Sequence, residues 1–367
     1  MSEYQYYEFV ALDRPLAAEQ VAKLRAVSSR AEISATRFKN EYHWGDLSAD
    51  PEKLLERYFD AHLYFASWGT RRLILRLPRA RTNTAELAPY FAGSTATGCR
   101  VAGAHVVIDL TSDTEEDEHD EEPPASLATF TPLRDELMRG DLRPAYLAWL
   151  LAVQEGAVDD EAEEPLVPAG LSELTSAQKA MAELLRIDFD LVRAAAARSD
   201  AADADGAAFR RWVLALPAKR KDEWLGRAAD EPDLPLGAEL LRTFRAISRP
   251  GDGPRRRTAA ELRARAEELG HERELAEAAR AEKARLAAAA KRKRHLSTLA
   301  RDLDGAWLRL ETLVSESSYD DALALALDLR EIDERAGERT FAERFEAMRK
   351  RQLRRRGFFD RWKRAGG

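Results

Sequence analysis

The stretch RRLILRLP (residues 71–78) decides the fold class of the N-terminal part of the chain, because it is typical of a β-strand. A second strand is predicted at RVAGAHVVIDL (100–110), after a short predicted helix around 84–90. Upstream, YYEFVALD (6–13) mixes aromatic and β-branched residues, and AEISATRF (31–38) alternates as a strand does. The first hundred residues therefore predict several strands interrupted by helices.

Two further helices are predicted between these strands. Apolar residues recur at helical spacing from Leu16 to Val27, and Asp50-Pro51 opens another helix with a broad apolar face that extends to Phe65. His62 falls on that face, where a core histidine with one hydrogen bond is favoured over a metal ligand. The alternation of strands and helices favours a small α/β sandwich, one sheet covered by helices, for which a ferredoxin-like topology is one candidate.

The rest of the chain changes composition at several points. SDTEEDEHDEEPP (112–124) is acidic and almost free of apolar residues, so a solvated linker is predicted there. SRPGDGPRRR (248–257) is a second break, rich in proline and glycine. The predicted organisation is an α/β domain (1–111), an acidic linker (112–125), a helical domain (126–247), a Pro/Gly linker (248–257), a long helix (258–314), and a helix pair with a basic tail (315–367). The fold class is thus α+β, with a long coiled-coil-like helix in a mainly helical C-terminal region.

Composition excludes several classes of function. The 367 residues carry a net charge of -7 and a single cysteine, Cys99, which excludes a disulfide framework and a zinc site built from several thiolates. The N-terminus lacks the layout of a signal peptide, and no run approaches 18 apolar residues. We expect a cytoplasmic protein with no membrane contact.

The long helix carries the clearest pattern. Thr258 and Glu261 form a T-x-x-E capping box at its start, and no proline follows before Val314. Leucines occupy heptad a and d positions, which predicts a packing surface for a second copy or for the following helix pair. These residues are Leu296, Leu299, Leu303, Leu310 and Leu313. KRKRH (291–295) surrounds the helix with charge instead of forming one stripe, so a solvated surface is favoured over nucleic-acid recognition.

The C-terminal tail is the stronger candidate for nucleic-acid or partner contact. Nine Lys and Arg residues lie between 349 and 364, interleaved with Phe358, Phe359 and Trp362. Such a mixture can contact phosphates and stack bases, or the aromatic residues can pack inside while the cations face an acidic partner. The predicted contact residues are Arg349, Lys350, Arg351, Arg354, Arg355, Arg356, Arg361, Trp362, Lys363 and Arg364. The eight carboxylates of 113–122 are a potential internal competitor.

An enzyme site has weak support. In NEYHWGD (40–46), His43 could act as an acid or base with Glu41 or Asp46, but a strand end with Trp44 packed down and Gly45 at the bend is favoured. No two histidines have the spacing of metal ligands, no phosphate-binding glycine loop is present, and Cys99 fits a buried small residue in a strand. No metal or cofactor is predicted.

Two stretches resemble known bacterial sequences. The first stretch runs from EYQYYEFVALDRPL to RRL (residues 3–73). It resembles the start of a set of uncharacterised bacterial proteins. The stretch from TAAELRARAEEL to RFEAMRKRQLRRRGFFDRWKRAGG looks like the tail of bacterial SWIM zinc-finger proteins, although the C-x-C and C-x-H ligands of the finger are absent. The resemblance implies a helical attachment module used in a multi-protein assembly, and no reaction.

The expected function is therefore a non-enzymatic interaction or scaffold protein, with a protein partner or self-association. A nucleic-acid-associated factor that binds RNA or DNA through the basic tail is the alternative. An enzyme with a site near His43 is a distant third.

Overall fold

A computed structural model describes residues 4–113, 123, 125–199, 202–231, 234–248 and 255–366. The chain divides into two compact units, Met1–Glu272 and Arg273–Gly367. The predicted boundary at 111/112 thus falls inside the first unit.

Seven antiparallel strands form one sheet in the first unit, in the order β2-β3-β1-β4-β5-β7-β6. The strands are β1 (Gln5–Val10), β2 (Glu32–Ile33), β3 (Arg37–Tyr42), β4 (Ala61–Ala66), β5 (Thr70–Pro78), β6 (Thr97–Ala102) and β7 (His105–Asp113). The RRLILRLP stretch lies in β5, an interior strand between β4 and β7. The 100–110 stretch is a hairpin with its turn near Gly103. The α+β fold class is confirmed.

Helices cover both faces of the sheet. On one face, α1 (Ala18–Val27) and α2 (Pro51–Tyr58) bury Leu24 and Leu55 against Phe9 and Phe38 of the sheet. The other face shares one apolar core with α3 (Thr84–Phe91), α4 (Pro132–Met138), α5 (Arg143–Gln154), α6 (Ser176–Leu184), α7 (Phe189–Ala196) and the first turns of the long helix that begins at Ala259. Three further helices contribute no described residue to this core: α8 (Ala202–Ala215), α9 (Ala218–Asp230) and α10 (Leu236–Ser248).

The prediction of one apolar helix face from residue 51 to Phe65 is wrong, because α2 ends at Tyr58 and residues 61–66 form β4. Backbone pairing with β1 and β5 on its two sides outweighs the local helical spacing. Asp60 fixes the turn between the two elements, since its carboxylate accepts hydrogen bonds from the amides of Leu12 (2.7 Å) and Asp13 (3.0 Å).

The long helix α11 (Ala259–Ala300) starts where the sequence predicts. The Glu261 carboxylate accepts from the Thr258 amide at 3.0 Å, and the Thr258 hydroxyl accepts from the Glu261 amide at 3.2 Å, which confirms the capping box. The helix does not continue to Val314. It ends at Ala300, and Asp302 caps a new helix by accepting from the Gly305 amide at 2.9 Å.

The second unit is a small helical bundle. After the end of α11 it contains α12 (Leu303–Ser315), α13 (Tyr319–Ala336), α14 (Phe341–Arg351) and α15 (Arg356–Arg364). The predicted helix pair corresponds to α13 and α14, and Phe345 and Met348 of α14 lie in one core with Leu329 of α13. A further helix, α15, adds Phe358 and Trp362 to this core.

Candidate partner interface

The aromatic residues of the basic tail belong to the core of the second unit. Phe358 is fully buried and Trp362 is 8% exposed. The Trp362 ring lies 4.6 Å from that of Phe345, and the Arg330 guanidinium lies over it at 5.1 Å. The Trp362 ring is therefore packed on both sides and offers no face for a nucleotide base.

Several tail cations are paired within the bundle. Arg351 pairs with Glu311, Arg361 lies 3.2 Å from the carboxylate of Asp320, and Arg349 lies 3.6 Å from that of Glu346. The Arg355 guanidinium donates to the backbone carbonyl of Ser315 at 2.5 Å and to the Ser317 hydroxyl at 3.1 Å. Arg351, Arg355 and Arg361 thus connect the tail to α12 and α13 or the turn between them, whereas the Arg349 pair lies within α14.

The remaining tail cations are exposed and have no ion-pair or hydrogen-bond partner among the residues that the structure describes. They are Lys350, Arg354, Arg356, Lys363 and Arg364, which we call the exposed tail cations. Arg356 and Lys363 lie seven residues apart on α15, opposite the buried Phe358 and Trp362. Of the three aromatic residues of the tail, Phe359 is partly exposed and the other two are buried, so the tail presents mainly positive charge.

The heptad leucines pack inside the same bundle. Leu296 and Leu310 are buried, and Leu299, Leu303 and Leu313 are half-buried against the core formed by α12 to α15. The helix break at 301–302 interrupts the heptad register that the sequence predicts. Of the two packing partners expected for these leucines, the structure shows the chain's own following helices.

Two side chains of the KRKRH cluster contact α13. Arg292 pairs with Asp328 and, at 2.6 Å, with Glu331 of α13. The His295 Nε2 atom lies 2.6 Å from the Asp328 carboxylate. Lys291, Lys293 and Arg294 remain exposed. Two of the five side chains therefore attach the end of α11 to α13, a role that the sequence pattern does not reveal.

Upstream of this cluster, α11 is exposed to solvent on all sides. Every residue from 271 to 290 is exposed, and we call this segment the arm. Ion pairs along the helix support it, with Arg273 3.6 Å from Glu277 and Arg285 2.7 Å from Glu282. Two large apolar side chains lie on the arm, Leu275 (58% exposed) and Leu286 (57% exposed).

The residues predicted near the N-terminal site have separate partners. Glu41 pairs with Lys39 at 2.7 Å, and the His43 ring lies 5.3 Å from that of Tyr4. Asp46 accepts from the Tyr7 hydroxyl at 2.6 Å. Burial, together with this bond, raises the pKa of Tyr7. Gly45 makes the bend with φ +82°, as predicted, but Trp44 is 79% exposed and does not pack down.

Burial determines the protonation state of two further candidate side chains, His62 and Cys99. His62 lies in β4, where its ring stacks on Phe9 at 4.0 Å and its Nδ1–H donates to the Glu8 carbonyl at 3.0 Å. Burial lowers the pKa of His62 to about 3, so the ring is neutral. Cys99 lies half-buried in β6, and burial raises the pKa of its thiol to about 11, which leaves it protonated and unreactive.

Within the described residues, no group of three or more His, Cys, Asp or Glu side chains is placed to hold a metal ion. None of the described helices is both long and apolar enough to cross a membrane. The acidic run of 113–122 lies outside the described residues except for Asp113, which ends β7. Comparisons of the chain with family models, with curated proteins and with solved structures gave no match.

Proposed function

We propose that this chain is a non-enzymatic interaction protein, a cytoplasmic subunit of a bacterial multi-protein assembly that contacts its partner through the arm of α11. The observation that carries the proposal is the exposure of every residue from 271 to 290 in a continuous helix. A helix exposed on all sides buries no apolar surface of its own, so it is available to pack against another helix.

Leu275 and Leu286 define the contact face of the arm. They are eleven residues apart, which places them within about 20° of each other around the helix axis. The heptad leucines downstream are already packed inside the second unit, so these two are the large apolar side chains that the arm offers. Burying each would contribute about 1.5–3 kcal/mol to association. The partner is a helix with an apolar stripe, from another protein or a second copy of the chain.

A pair of matched variants tests the arm. Leu275→Asp with Leu286→Asp places two carboxylates on the proposed face, whereas Ala284→Asp with Ala288→Asp places two on the opposite side of the same helix. The full-length proteins are compared by light scattering for mass, and by affinity capture from the host with nuclease treatment and mass spectrometry.

We expect the leucine variant to lose self-association or a nuclease-resistant protein partner that the parent and the alanine variant keep. Retention of the partner in both variants would contradict the proposed face. A monomeric parent that captures no protein would contradict the function.

The exposed tail cations favour a second candidate function, a nucleic-acid-associated factor. Lysine and arginine side chains without internal partners can neutralise phosphates, and such binding weakens steeply as salt rises. The acidic run of 113–122 would compete with phosphates for these cations, because both belong to one chain.

Fluorescence anisotropy of a labelled oligonucleotide across a salt series tests this candidate. Deletion of 113–122 should increase binding at low salt, and Arg354→Gln with Arg356→Gln should remove the gain. Arg351→Gln is the matched control, because Arg351 pairs with Glu311 within the bundle. If neither the full chain nor the deletion variant binds at low salt, the nucleic-acid function is wrong.

A further inference from the structure

The arm divides into two halves of opposite charge. Residues 271–279 contain three glutamates and one arginine, which gives this half a net charge of -2. Residues 280–290 contain three Lys and Arg residues and one glutamate, which gives a net charge of +2. The two ion pairs described above for the arm each join residues of the same half, so they leave its net charge unchanged. The arm is therefore acidic at its start and basic at its end.

Each half also keeps charged side chains without a partner. In the acidic half, Glu272 lies 3.4 Å from Arg265, outside the arm, whereas Glu274 has no ion-pair or hydrogen-bond partner among the described residues. In the basic half, Arg280 and Lys283 likewise have none within the described part of the chain. All three unpartnered side chains are exposed. Opposite charges are thus available at the two ends of the arm to a molecule that binds along it.

The two exposed leucines of the arm are placed symmetrically about its centre. Leu275 lies in the acidic half and Leu286 in the basic half, and the midpoint between them falls between residues 280 and 281. A two-fold axis across the helix at this midpoint sets Leu275 of one copy level with Leu286 of another. The axis repeats the contact, so four leucines pack in two layers about 16.5 Å apart along the helix.

The residues between the two layers leave room for close approach of two helices. Ala278 and Ala279 lie within about 60° of Leu275 around the helix axis. Glu282 also lies on this face, level with Ala279 of the other copy, and its carboxylate is paired with Arg285 at 2.7 Å. The interface therefore has small side chains at its centre, and no unpaired carboxylate lies between the layers.

We infer that the partner of the arm is a second copy of this chain, and that the two arms pair antiparallel about a two-fold axis between residues 280 and 281. This inference rests on the proposed function, to which it adds the identity of the partner. The antiparallel arrangement sets the acidic half of each copy against the basic half of the other. Complementary charges along a pair of helices fix their orientation and register.

A parallel arrangement would bring like charges together. Around the helix axis, Glu274 and Arg285 lie on one flank of the leucine face, and Glu272 and Lys283 lie on the other. In an antiparallel pair the same flank of both copies meets, so Glu274 is offset by only about 3 Å along the axis from Arg285 of the other copy. In a parallel pair opposite flanks meet, so Glu274 faces Glu272 and Arg285 faces Lys283. This repulsion disfavours parallel pairing.

Disulfide cross-linking in the full-length protein tests the orientation. Cys99, the only cysteine of the chain, is replaced by alanine, and Leu275→Cys and Leu286→Cys are introduced into separate chains with different tags. On mild oxidation a mixture of the two chains should form a disulfide-linked heterodimer, because the two thiols are level across one layer while the other layer keeps its leucines. Each chain alone should not cross-link, since its two cysteines lie about 16.5 Å apart along the axis. Ala284→Cys, on the opposite side of the helix, is the control for random collision.

Sedimentation equilibrium over a range of protein and salt concentrations measures the affinity. We expect the parent to be in equilibrium between monomer and dimer. Leu275→Ala should raise the dissociation constant at least about a hundredfold, because the two-fold axis removes the leucine from both layers, whereas Ala284→Ser should leave it unchanged. Added salt should also raise the dissociation constant, since it screens the attraction between the acidic and basic halves.

Several results would overturn the inference, and they are distinct from failure of the proposed function. A dimer in which the mixture does not cross-link, or in which either chain cross-links with itself, contradicts the antiparallel register. A dissociation constant that falls as salt rises contradicts the charge pairing. A parent that stays monomeric but needs Leu275 and Leu286 to capture another protein excludes the second copy as the partner and leaves the proposed function intact. A monomeric parent that captures no protein contradicts both.

Discussion

Removal of one partner of the buried Glu164–Arg257 ion pair should strongly destabilise the first unit. Glu164 is 2% exposed and Arg257 is 8% exposed. The guanidinium donates to the two carboxylate oxygens through Nε (2.9 Å) and Nη2 (2.6 Å), and through Nη1 to the Ala194 carbonyl (2.6 Å). Tyr146, which is fully buried, donates its hydroxyl to the same carboxylate, and burial raises the pKa of that hydroxyl well above its usual value.

The burial of both side chains indicates how much stability each single substitution should cost. In Glu164→Gln the Arg257 charge stays buried without a counter-ion, and a broken buried pair of this kind costs about 3–5 kcal/mol. Arg257→Met should cost a similar amount, because the Glu164 carboxylate then keeps only the Tyr146 hydroxyl as a side-chain partner among the described residues. The double variant Glu164→Leu with Arg257→Met removes both charges, so it should recover most of the loss.

Native-state hydrogen exchange of the α5 peptides measures the free energy of opening, and urea unfolding followed by circular dichroism gives a second measure. The Arg220→Gln variant is the control, since Arg220 and its partner Glu223 are both exposed, at 69% and 47%. This variant should change stability by less than about 1 kcal/mol. A loss below about 1 kcal/mol in Glu164→Gln would refute the assignment of a tightly buried pair.

Two further predictions concern His62 and the heptad leucines. The native pKa of His62 is about 3, below the value of about 6.5 in the unfolded chain, so between these pH values the unfolded chain binds the proton and the folded chain does not. The free energy of unfolding should therefore fall as the pH drops from about 6.5 toward 3, by up to about 1.4 kcal/mol per pH unit. His62→Gln should flatten this slope in urea melts at several pH values, and an unchanged slope would assign it to other groups. Leu303→Asp with Leu310→Asp should speed hydrogen exchange in α12 to α15, since Leu310 is fully buried there. Unchanged exchange in those helices would contradict the packing.

Local signals in the sequence were sufficient for several elements. The Thr258 capping box, the strand at 71–78 and the bend at Gly45 depend on residues close together in the chain. Such features follow from backbone preferences and short-range hydrogen bonds, which a sequence displays directly. The helix break at 301–302 also has a local signal, the N-cap residue Asp302, which the sequence analysis did not use.

The features that sequence reasoning missed depend on distant partners. Glu164 and Arg257 are 93 residues apart, and Arg257 ends the stretch 248–257 that the sequence predicts to be a linker. β4 pairs with a strand more than fifty residues earlier, and this pairing, absent from any local window, decides its conformation. A cavity of about 270 Å³ is lined by residues of α3 and α10 together with Leu142, Leu166 and Arg256. These residues are distant in the chain, so no sequence motif predicts the cavity.

Only some of the tail cations are available to a binding partner, because the others have partners inside the bundle. Four of the nine Lys and Arg residues between 349 and 364 have partners inside the bundle, so a count of charges overstates the surface available to phosphates. If each exposed tail cation neutralised one phosphate, the salt dependence of duplex binding would have a logarithmic slope no steeper than about -4.5. A steeper slope would require cations elsewhere, such as the exposed Arg339 between α13 and α14 or the exposed Lys291, Lys293 and Arg294 of α11. Strong binding with a shallow slope would instead require apolar contacts. Phe358 and Trp362 are buried and cannot supply them, so the exposed leucines of the arm, Leu275 and Leu286, would be the candidates.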